Sequence, residues 1–179
     1  MSKNILIIST SLRKGSNSEM LADEFMRGAK EAGHQAEKIS LRDKRVGFCK
    51  GCLTCQKTGC CVIQDDAIAI AEKMRTADVI AFATPIYYYE MSGQMKTLLD
   101  RANSLFSSKY AFQDIYLLTA AAEKEETAAD GAINGLQGRI DCFEKAHLSG
   151  TVFAGGVDAA GEAKGHVSLV KAFELGRNI

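Results

Sequence analysis

Five apolar segments of strand length alternate with segments of helical periodicity along the whole chain. The first is apolar at every position from Ile5 to Ile8, as expected for a strand covered on both faces of a parallel sheet. Parallel strands need crossover connections, which helices usually provide, so the alternation predicts one parallel sheet between two helical layers. The predicted strands are 4–10, 36–41, 78–84, 114–119 and 150–154, and the predicted helices are 19–32, 66–76, 92–106, 125–146 and 165–176.

One domain is expected for the entire sequence. Its 179 residues fall within the usual range of about 100–200 residues per domain, and no repeat, low-complexity tract or linker divides them. Apolar residues make up 46% and charged residues 25%, which are ordinary globular values and argue against global disorder. We therefore expect a single α/β domain over residues 1–179.

Charge and hydropathy argue against two classes of partner. The chain has 22 basic and 22 acidic residues, whereas a dedicated nucleic-acid binder usually carries a basic excess. No apolar run approaches the roughly 20 residues needed to span a bilayer, and the N-terminal run is too short for a signal peptide. We expect no nucleic-acid partner, no membrane contact and a cytoplasmic location, where disulfides are rare.

The loop after the first strand carries the donors that a phosphate group requires. Segment 9–18 offers five hydroxyls, the amide of Asn17, the cations Arg13 and Lys14, and the N–H groups at the start of the next helix. Phosphates bind at such helix N-termini. Neither a Walker loop nor a Gly-x-Gly-x-x-Gly pattern is present, which argues against a nucleotide triphosphatase and a dinucleotide loop. An ordinary helix cap made by Ser16 or Ser18 is the alternative.

The loop after the third strand is rich in tyrosine. Pro85, the only proline, fixes its own backbone φ and is predicted to end the strand. Tyr87, Tyr88 and Tyr89 then lie at the carboxyl edge of the predicted sheet, where α/β proteins bind ligands. Stacking on a flat ligand ring and packing at a subunit interface both explain these tyrosines, and both hold if the site lies at a dimer interface.

Three segments together resemble the NAD(P)H-dependent FMN reductase family, which has the flavodoxin-like fold. They are 11–18 (SLRKGSNS), 83–88 (ATPIYY) and 91–101 (MSGQMKTLLDR), and the resemblance extends roughly over residues 4–106. It implies a three-layer α/β sandwich with a five-stranded parallel sheet in the order 2-1-3-4-5 and FMN at its carboxyl edge. It also implies NAD(P)H as the reductant and a homodimer or homotetramer with FMN near the interface.

The same resemblance assigns three groups of residues to FMN. The phosphate would be held by the first loop, through Ser11, Arg13, Ser16, Asn17 and Ser18. The isoalloxazine would be bordered by Pro85, Ile86, Tyr87 and Tyr88. Its other side would face the loop after the fourth strand, residues 119–123, which has fewer glycines than the family pattern. Thr119, Ala120 and Ala121 are the residues of this loop assigned to FMN.

Five of the six cysteines lie between Cys49 and Cys61, in a segment without periodicity that is predicted to be a long functional loop. The spacing of Cys49, Cys52, Cys55 and Cys60 is close to that of bacterial ferredoxins. It also resembles the compact motif of iron–sulfur flavoproteins, a branch of the same fold, and this resemblance implies a [4Fe–4S] cluster that exchanges electrons with FMN.

Other interpretations of the cysteines stay open. Zinc binding, a redox-active pair and purely structural cysteines are the alternatives. Segment 57–66 resembles FMN reductases without a cluster, and it aligns Cys61 with their cysteine. Counted to Cys61 instead of Cys60, the last spacing is one residue longer and still permits a cluster.

The remaining polar residues have simple structural interpretations. Asp65 and Asp66 are expected to cap a helix, and Ser92 is a candidate N-cap of the helix predicted to begin there. Asp100 and Arg101 are expected to lie on a helix face or at a dimer contact, and Cys142 to be buried and inert. No catalytic side chain is predicted, because no nucleophile elbow is present and in flavin chemistry the cofactor carries the hydride.

Three functional hypotheses follow. The leading one is an FMN-dependent oxidoreductase that takes hydride from NAD(P)H, with the nicotinamide stacked near the tyrosines, and reduces a small acceptor such as a flavin or quinone. The second is an electron carrier in which FMN and a cluster exchange electrons with a ferredoxin-like partner. The third is a flavin-containing redox sensor with a cysteine switch.

Overall fold

The predicted strands form one sheet in the computed structural model, which describes all 179 residues. The parallel strands are β1 (Asn4–Ser9), β2 (Gln35–Ser40), β3 (Val79–Tyr87), β5 (Asp114–Ala120) and β6 (His147–Ala154). A two-residue strand that was not predicted, β4 (Glu90–Met91), pairs antiparallel with the end of β3. The parallel order β2-β1-β3-β5-β6 confirms the flavodoxin-like order 2-1-3-4-5, because β4 adds no strand to the parallel array.

Helices cover both faces of this sheet. One face carries α1 (Asn17–Glu31) and α6 (Val167–Arg177), and the other carries α3 (Asp66–Thr76), α4 (Gly93–Arg101) and α5 (Asp130–Ile140). Ile5 and Ile7 of β1 belong to the core under α1 and α6, whereas Leu6 and Ile8 belong to the opposite core. The apolar run of β1 therefore reflects burial on both faces. None of the helices has both the length and the apolar character that crossing a membrane requires.

The prediction that β3 ends at Pro85 is wrong. Pro85 pairs with β5, and the strand continues to Tyr87. The carbonyl of Ala83 faces β1, where it accepts the N–H of Thr10. The nitrogen of Pro85, two residues later, faces the same side, where β1 has already ended at Ser9. The missing N–H of proline therefore costs no ladder hydrogen bond.

Two predicted helices are shorter than their sequence patterns suggest. Predicted helix 92–106 is α4 followed by a 3-10 segment, Ala102–Ser107. Predicted helix 125–146 is a 3-10 turn, Glu126–Ala129, followed by α5. The cysteine segment contains a one-turn helix, α2 (Thr54–Thr58), because Leu53 and Gly59 adopt left-handed backbone conformations at its two ends.

Glycines in α5 make room for the turn that joins β3 to β4. A Cβ atom at Gly131 would lie 2.3 Å from the carbonyl oxygen of Tyr89, and one at Gly135 would lie 3.1 Å from the methyl carbon of Met91. The turn therefore packs on the helix backbone, which explains two glycines that weaken the helical pattern of this segment. Gly138 has open space around it.

We expect Gly131→Ala to lower the free energy of unfolding by about 1–3 kcal/mol, because the new methyl group overlaps the Tyr89 carbonyl and the turn must move. Gly138→Ala is the matched control and should raise stability by up to about 1 kcal/mol, since alanine favours the helix and meets no neighbour. Urea unfolding measures both. Equal effects of the two substitutions would contradict the packing described for Gly131.

Candidate functional site

The loops at the carboxyl edge of the sheet enclose a cleft of about 340 Å³. Predicted FMN residues from three separate loops meet in its wall: Arg13, Pro85, Ile86, Tyr87, Tyr88, Ala120 and Ala121. The wall also contains Tyr89, Ala122 and Glu123, which belong to the predicted tyrosine loop and to the predicted loop after β5. Ala128, Val157 and Asp158 line the cleft as well and were not predicted. Thr119, also predicted here, is buried in the sheet instead, where its hydroxyl donates to the carbonyl of Val152.

The loop between β1 and α1 wraps the N-terminus of the helix. Ser16 is the N-cap, and its Oγ accepts the N–H of Glu19 at 3.2 Å. Ser11, Ser16 and Ser18 are buried, whereas Arg13 is exposed and borders the cleft. The first turn of a helix leaves N–H groups without helical acceptors, and this end carries a partial positive charge. The predicted cap is confirmed. Of the five predicted phosphate ligands, only Arg13 lines the cleft, and the three serines are buried behind it.

Asn17 uses its side chain for a contact that the sequence did not reveal. Its Nδ2 donates to the carbonyl of Ala159 at 2.9 Å, and its Oδ1 accepts the N–H of Ala163 at 3.0 Å. These bonds hold the loop after β6 against the start of α1, and this loop contributes Val157 and Asp158 to the cleft. The amide of Asn17 therefore serves the loop, which leaves its backbone N–H for a ligand.

Three buried hydroxyls tie the first loop to the second. Thr10 Oγ1 donates to the carbonyl of Ala83 and lies 3.0 Å from Ser92 Oγ. Ser92 Oγ in turn lies 3.1 Å from Thr84 Oγ1. Ser92 also caps α4 by accepting the N–H of Met95, as its sequence position predicts. This hydroxyl trio (Thr10, Thr84 and Ser92) fixes the positions of β1, β3 and α4 beside the cleft.

The turn between β3 and β4 is strained. Tyr88 (φ 50°) and Tyr89 (φ 63°) both adopt the left-handed conformation between the paired residues Tyr87 and Glu90. Two-residue turns of this kind favour Asn-Gly, because side chains are disfavoured at positive φ. Both rings are exposed and border the cleft. Backbone strain of this type persists where the surrounding structure holds it, often at ligand sites, and here the α5 glycines hold the turn.

Four cysteines line a second, smaller cavity of about 20 Å³: Cys49, Cys52, Cys55 and Cys61. Cys60, the fourth predicted ligand, lies outside this cavity, and its thiol donates to the carbonyl of Cys61 at 3.6 Å. In this conformation no three His, Cys, Asp or Glu side chains converge closely enough to hold a metal ion. The structure thus brings together three of the predicted cysteines, with Cys61 in the place expected for Cys60.

Local hydrogen bonds act on two of these thiols. The backbone N–H of Thr54, and then its hydroxyl, lower the pKa of the Cys52 thiol. The side-chain amide of Asn103 donates to the Cys55 sulfur at 3.7 Å. All six cysteines are free. Cys142, predicted to be buried, is exposed, because α5 ends at Ile140 and Cys142 lies in the turn beyond it.

Arg101 joins α4 to the cysteine segment, and the prediction that it lies on a helix face or at a dimer contact is wrong. Its side chain is completely buried. Nη1 donates to Asp65 (2.6 Å) and to the carbonyl of Gly47 (2.8 Å). Nη2 donates to Asp65 (2.8 Å) and to the carbonyl of Ile63 (3.0 Å). One guanidinium therefore holds both ends of the cysteine segment.

The ion pair shifts the pKa values of both partners. Burial opposes ionisation of Asp65, but hydrogen bonds from Arg101 and from the N–H groups of Gly47 and Ala67 outweigh it and lower the pKa. Asp65 raises the pKa of Arg101 against the opposing effect of burial, and Cys61 acts in the same direction as Asp65. Asp65 also caps α3 as predicted, since its Oδ1 accepts the N–H of Ala67 at 3.1 Å.

Comparison with known proteins agrees with this geometry. The family model of the NADPH-dependent FMN reductases matches residues 3–134, and the chain therefore belongs to that family. A solved structure, the NAD(P)H:quinone oxidoreductase of Methanothermobacter marburgensis, superposes with a TM-score of 0.78 at 20% identity, over 99% of this chain and 96% of that one. This likeness shows the flavodoxin-like fold.

Two curated relatives are iron–sulfur flavoproteins. The protein of Methanosarcina thermophila is 37% identical over 107 residues, which cover 60% of this chain and 56% of that protein. Iron-sulfur flavoprotein MJ1083 of Methanocaldococcus jannaschii is 39% identical over 101 residues, which cover 56% of this chain and 52% of that protein. The aligned part of this chain thus spans about half the length of these relatives.

The buried ion pair predicts a specific pH dependence of stability. Asp65→Asn should lower the free energy of unfolding by about 3 kcal/mol at pH 7, because it leaves Arg101 buried without its counter-charge. The folded state lowers the pKa of Asp65 below its ordinary value of 3.8. The contribution is therefore complete above that value and is lost as the pH falls through the folded-state pKa.

Urea unfolding of the wild type and of Asp65→Asn between pH 7 and pH 2 measures this difference, which should shrink as the pH falls. Asp100→Asn is the control, because Asp100 pairs with Lys96 on the exposed face of α4 and should matter little at any pH. A difference between wild type and Asp65→Asn that stays constant down to pH 2 would exclude the ion pair as its source.

Proposed function

We propose that the carboxyl-edge cleft binds FMN and that the protein transfers reducing equivalents from NAD(P)H to a small acceptor such as a flavin or quinone. The observation that carries this proposal is the meeting of three loops, distant in sequence, in one apolar cleft beside the N-terminus of α1. Membership of the NADPH-dependent FMN reductase family supports it.

The residues beside the cleft fit FMN. The phosphate would be held by the hydroxyls of the first loop, by the backbone N–H groups at the start of α1 and by Arg13, the only cation in the cleft wall. When bound, FMN supplies the hydride chemistry. The named residues of this group are Ser11, Arg13, Ser16, Asn17 (through its backbone) and Ser18.

The other loops would form the site of the flavin ring. Pro85, Ile86 and the alanines after β5 give an apolar wall that excludes water, and Tyr87 to Tyr89 give aromatic faces for the ring or the nicotinamide. The exposed tyrosines also support a homodimer or homotetramer that covers this edge. Six free cysteines support a location in the reducing cytoplasm.

A second candidate function is electron transfer through an iron–sulfur cluster, with a ferredoxin-like partner. The specific observation is that Cys49, Cys52, Cys55 and Cys61 line one cavity, and two relatives are named iron–sulfur flavoproteins. The four thiols fit the donor set of a [4Fe–4S] cluster or of zinc. The cavity of about 20 Å³ has room for one ion at most, and its thiols do not converge on one point in this conformation. A cluster therefore requires the exposed part of the loop to move outward.

Arg13→Ala should weaken FMN binding about tenfold, because a charge-assisted hydrogen bond to the phosphate is lost. Its affinity for riboflavin, which lacks the phosphate, should stay unchanged. Lys14→Ala is the matched control, since the neighbouring lysine is exposed and does not line the cleft. Quenching of flavin fluorescence measures all affinities. An equal loss of affinity for FMN and riboflavin would show that Arg13 contacts the flavin ring and not the phosphate.

The function itself is tested by the visible spectrum of protein purified without oxygen, before and after NADPH. Flavin bands that bleach with NADPH at a catalytic rate are expected for the reductase. Flavin bands on a broad iron–sulfide absorbance, with reduction by ferredoxin but not by NADPH, would favour the electron carrier instead. In that case Cys61→Ser should lose the iron, and Cys60→Ser, the matched control, should retain it.

A further inference from the structure

One hydrogen-bond donor of Arg101 is buried and has no partner. The guanidinium has five N–H groups, of which the four on Nη1 and Nη2 donate to Asp65, Gly47 and Ile63. The fifth, on Nε, has no acceptor at full hydrogen-bond geometry, although the side chain is completely buried. Together with Asp65, the Cys61 thiol lies close enough to raise the pKa of Arg101. Buried charged donors normally make hydrogen bonds, so we expect an acceptor for this N–H group.

Arg101 borders the cysteine cavity and a further cavity that contains Cys60, and Cys61 lies in the walls of both. Cys49, Cys52, Cys55 and Cys61 line the cysteine cavity together with Arg101. The other charged residues in its wall are Lys50 and Asp100, and Asp100 is paired with Lys96. A thiolate accepts hydrogen bonds and carries negative charge, and a centre with four thiolates around one divalent ion is a dianion. Arg101 offers this centre a cation and a free donor in a water-poor position.

We propose that Arg101 is a positioning residue for a sulfur-bound metal centre in this cavity, and that its Nε–H donates to a ligand thiolate. The proposal rests on the second candidate function above, but only on its thiolate site. Partners of metal ligands beyond the coordinating atoms commonly contribute strongly to metal affinity. Arg101 would act through the sulfur atoms and would not touch the metal.

A purely structural role for Arg101 makes a different prediction. Arg101 and Asp65 share the ion pair that holds the cysteine segment, so loosening the segment from either side should harm metal binding equally. Under the proposal, substitution of Arg101 lowers the metal affinity, whereas Asp65→Asn does not lower it. Removing the Arg101 donor destabilises an anionic centre, whereas Asp65→Asn removes a negative charge near it and leaves the Arg101 cation in place.

The experiment uses the full chain with reduced thiols and Cd²⁺ alone as the probe, without oxygen. The thiolate-to-Cd²⁺ absorbance counts the bound sulfurs, and competition with a chelator gives the affinity. We expect four thiolates in the wild type. Arg101→Lys, which keeps the charge but lacks Nε–H, should bind about 10–100-fold more weakly, and Arg101→Gln more weakly still. Asp65→Asn should bind at least as tightly as the wild type.

Two results would overturn the proposal: equal weakening in Arg101→Lys and Asp65→Asn, or a wild type that binds Cd²⁺ with fewer than four thiolates. Thermal unfolding of each variant shows that it is folded, and the Lys and Asn variants decide the question if Arg101→Gln does not fold. A wild type that binds Cd²⁺ through four thiolates but takes up no iron and sulfide would end the cluster function and leave the role of Arg101 intact.

Discussion

The ion pair between Arg101 and Asp65 is the contact on which the position of the cysteine segment depends. It is buried, so neither charge is stable without the other. It joins the last residue of α4 to both ends of the cysteine segment, while Ser92, just before α4, belongs to the hydroxyl trio beside the cleft. The helix α4, which has nine residues and is about 13 Å long, therefore connects the hydroxyl trio beside the cleft to the cavity lined by the cysteines.

Much of the fold could be predicted because it follows from local patterns. The apolar run of β1 indicated a central strand, and the caps at Ser16, Asp65 and Ser92 were recognisable from residue type and position. The strand order could not be predicted from local patterns, because periodicity identifies strands and helices but does not say which strands are neighbours. That order came from the resemblance carried by the first loop and the tyrosine segment, and the sheet confirms it.

The features that sequence reasoning missed are pairings across long stretches of chain. Nothing near Asn17 announces that its amide binds a loop more than 140 residues away. Arg101 follows Asp100 on an amphipathic helix and looks like a surface residue until Asp65 is placed beside it. Gly131 and Gly135 weaken the helical pattern of α5, and the reason lies on another element, at the Tyr89 carbonyl and the Met91 methyl group.

At Tyr88 and Tyr89, which adopt the left-handed conformation, the residues best for stability differ from those that form the wall of the cleft. Asparagine followed by glycine would suit this turn better than two tyrosines and would relieve its strain. The same replacement would strip two aromatic rings from the wall of the cleft. A thermostabilising redesign guided by backbone preference alone would therefore select against ligand recognition, so this turn is a position to exclude from such a redesign.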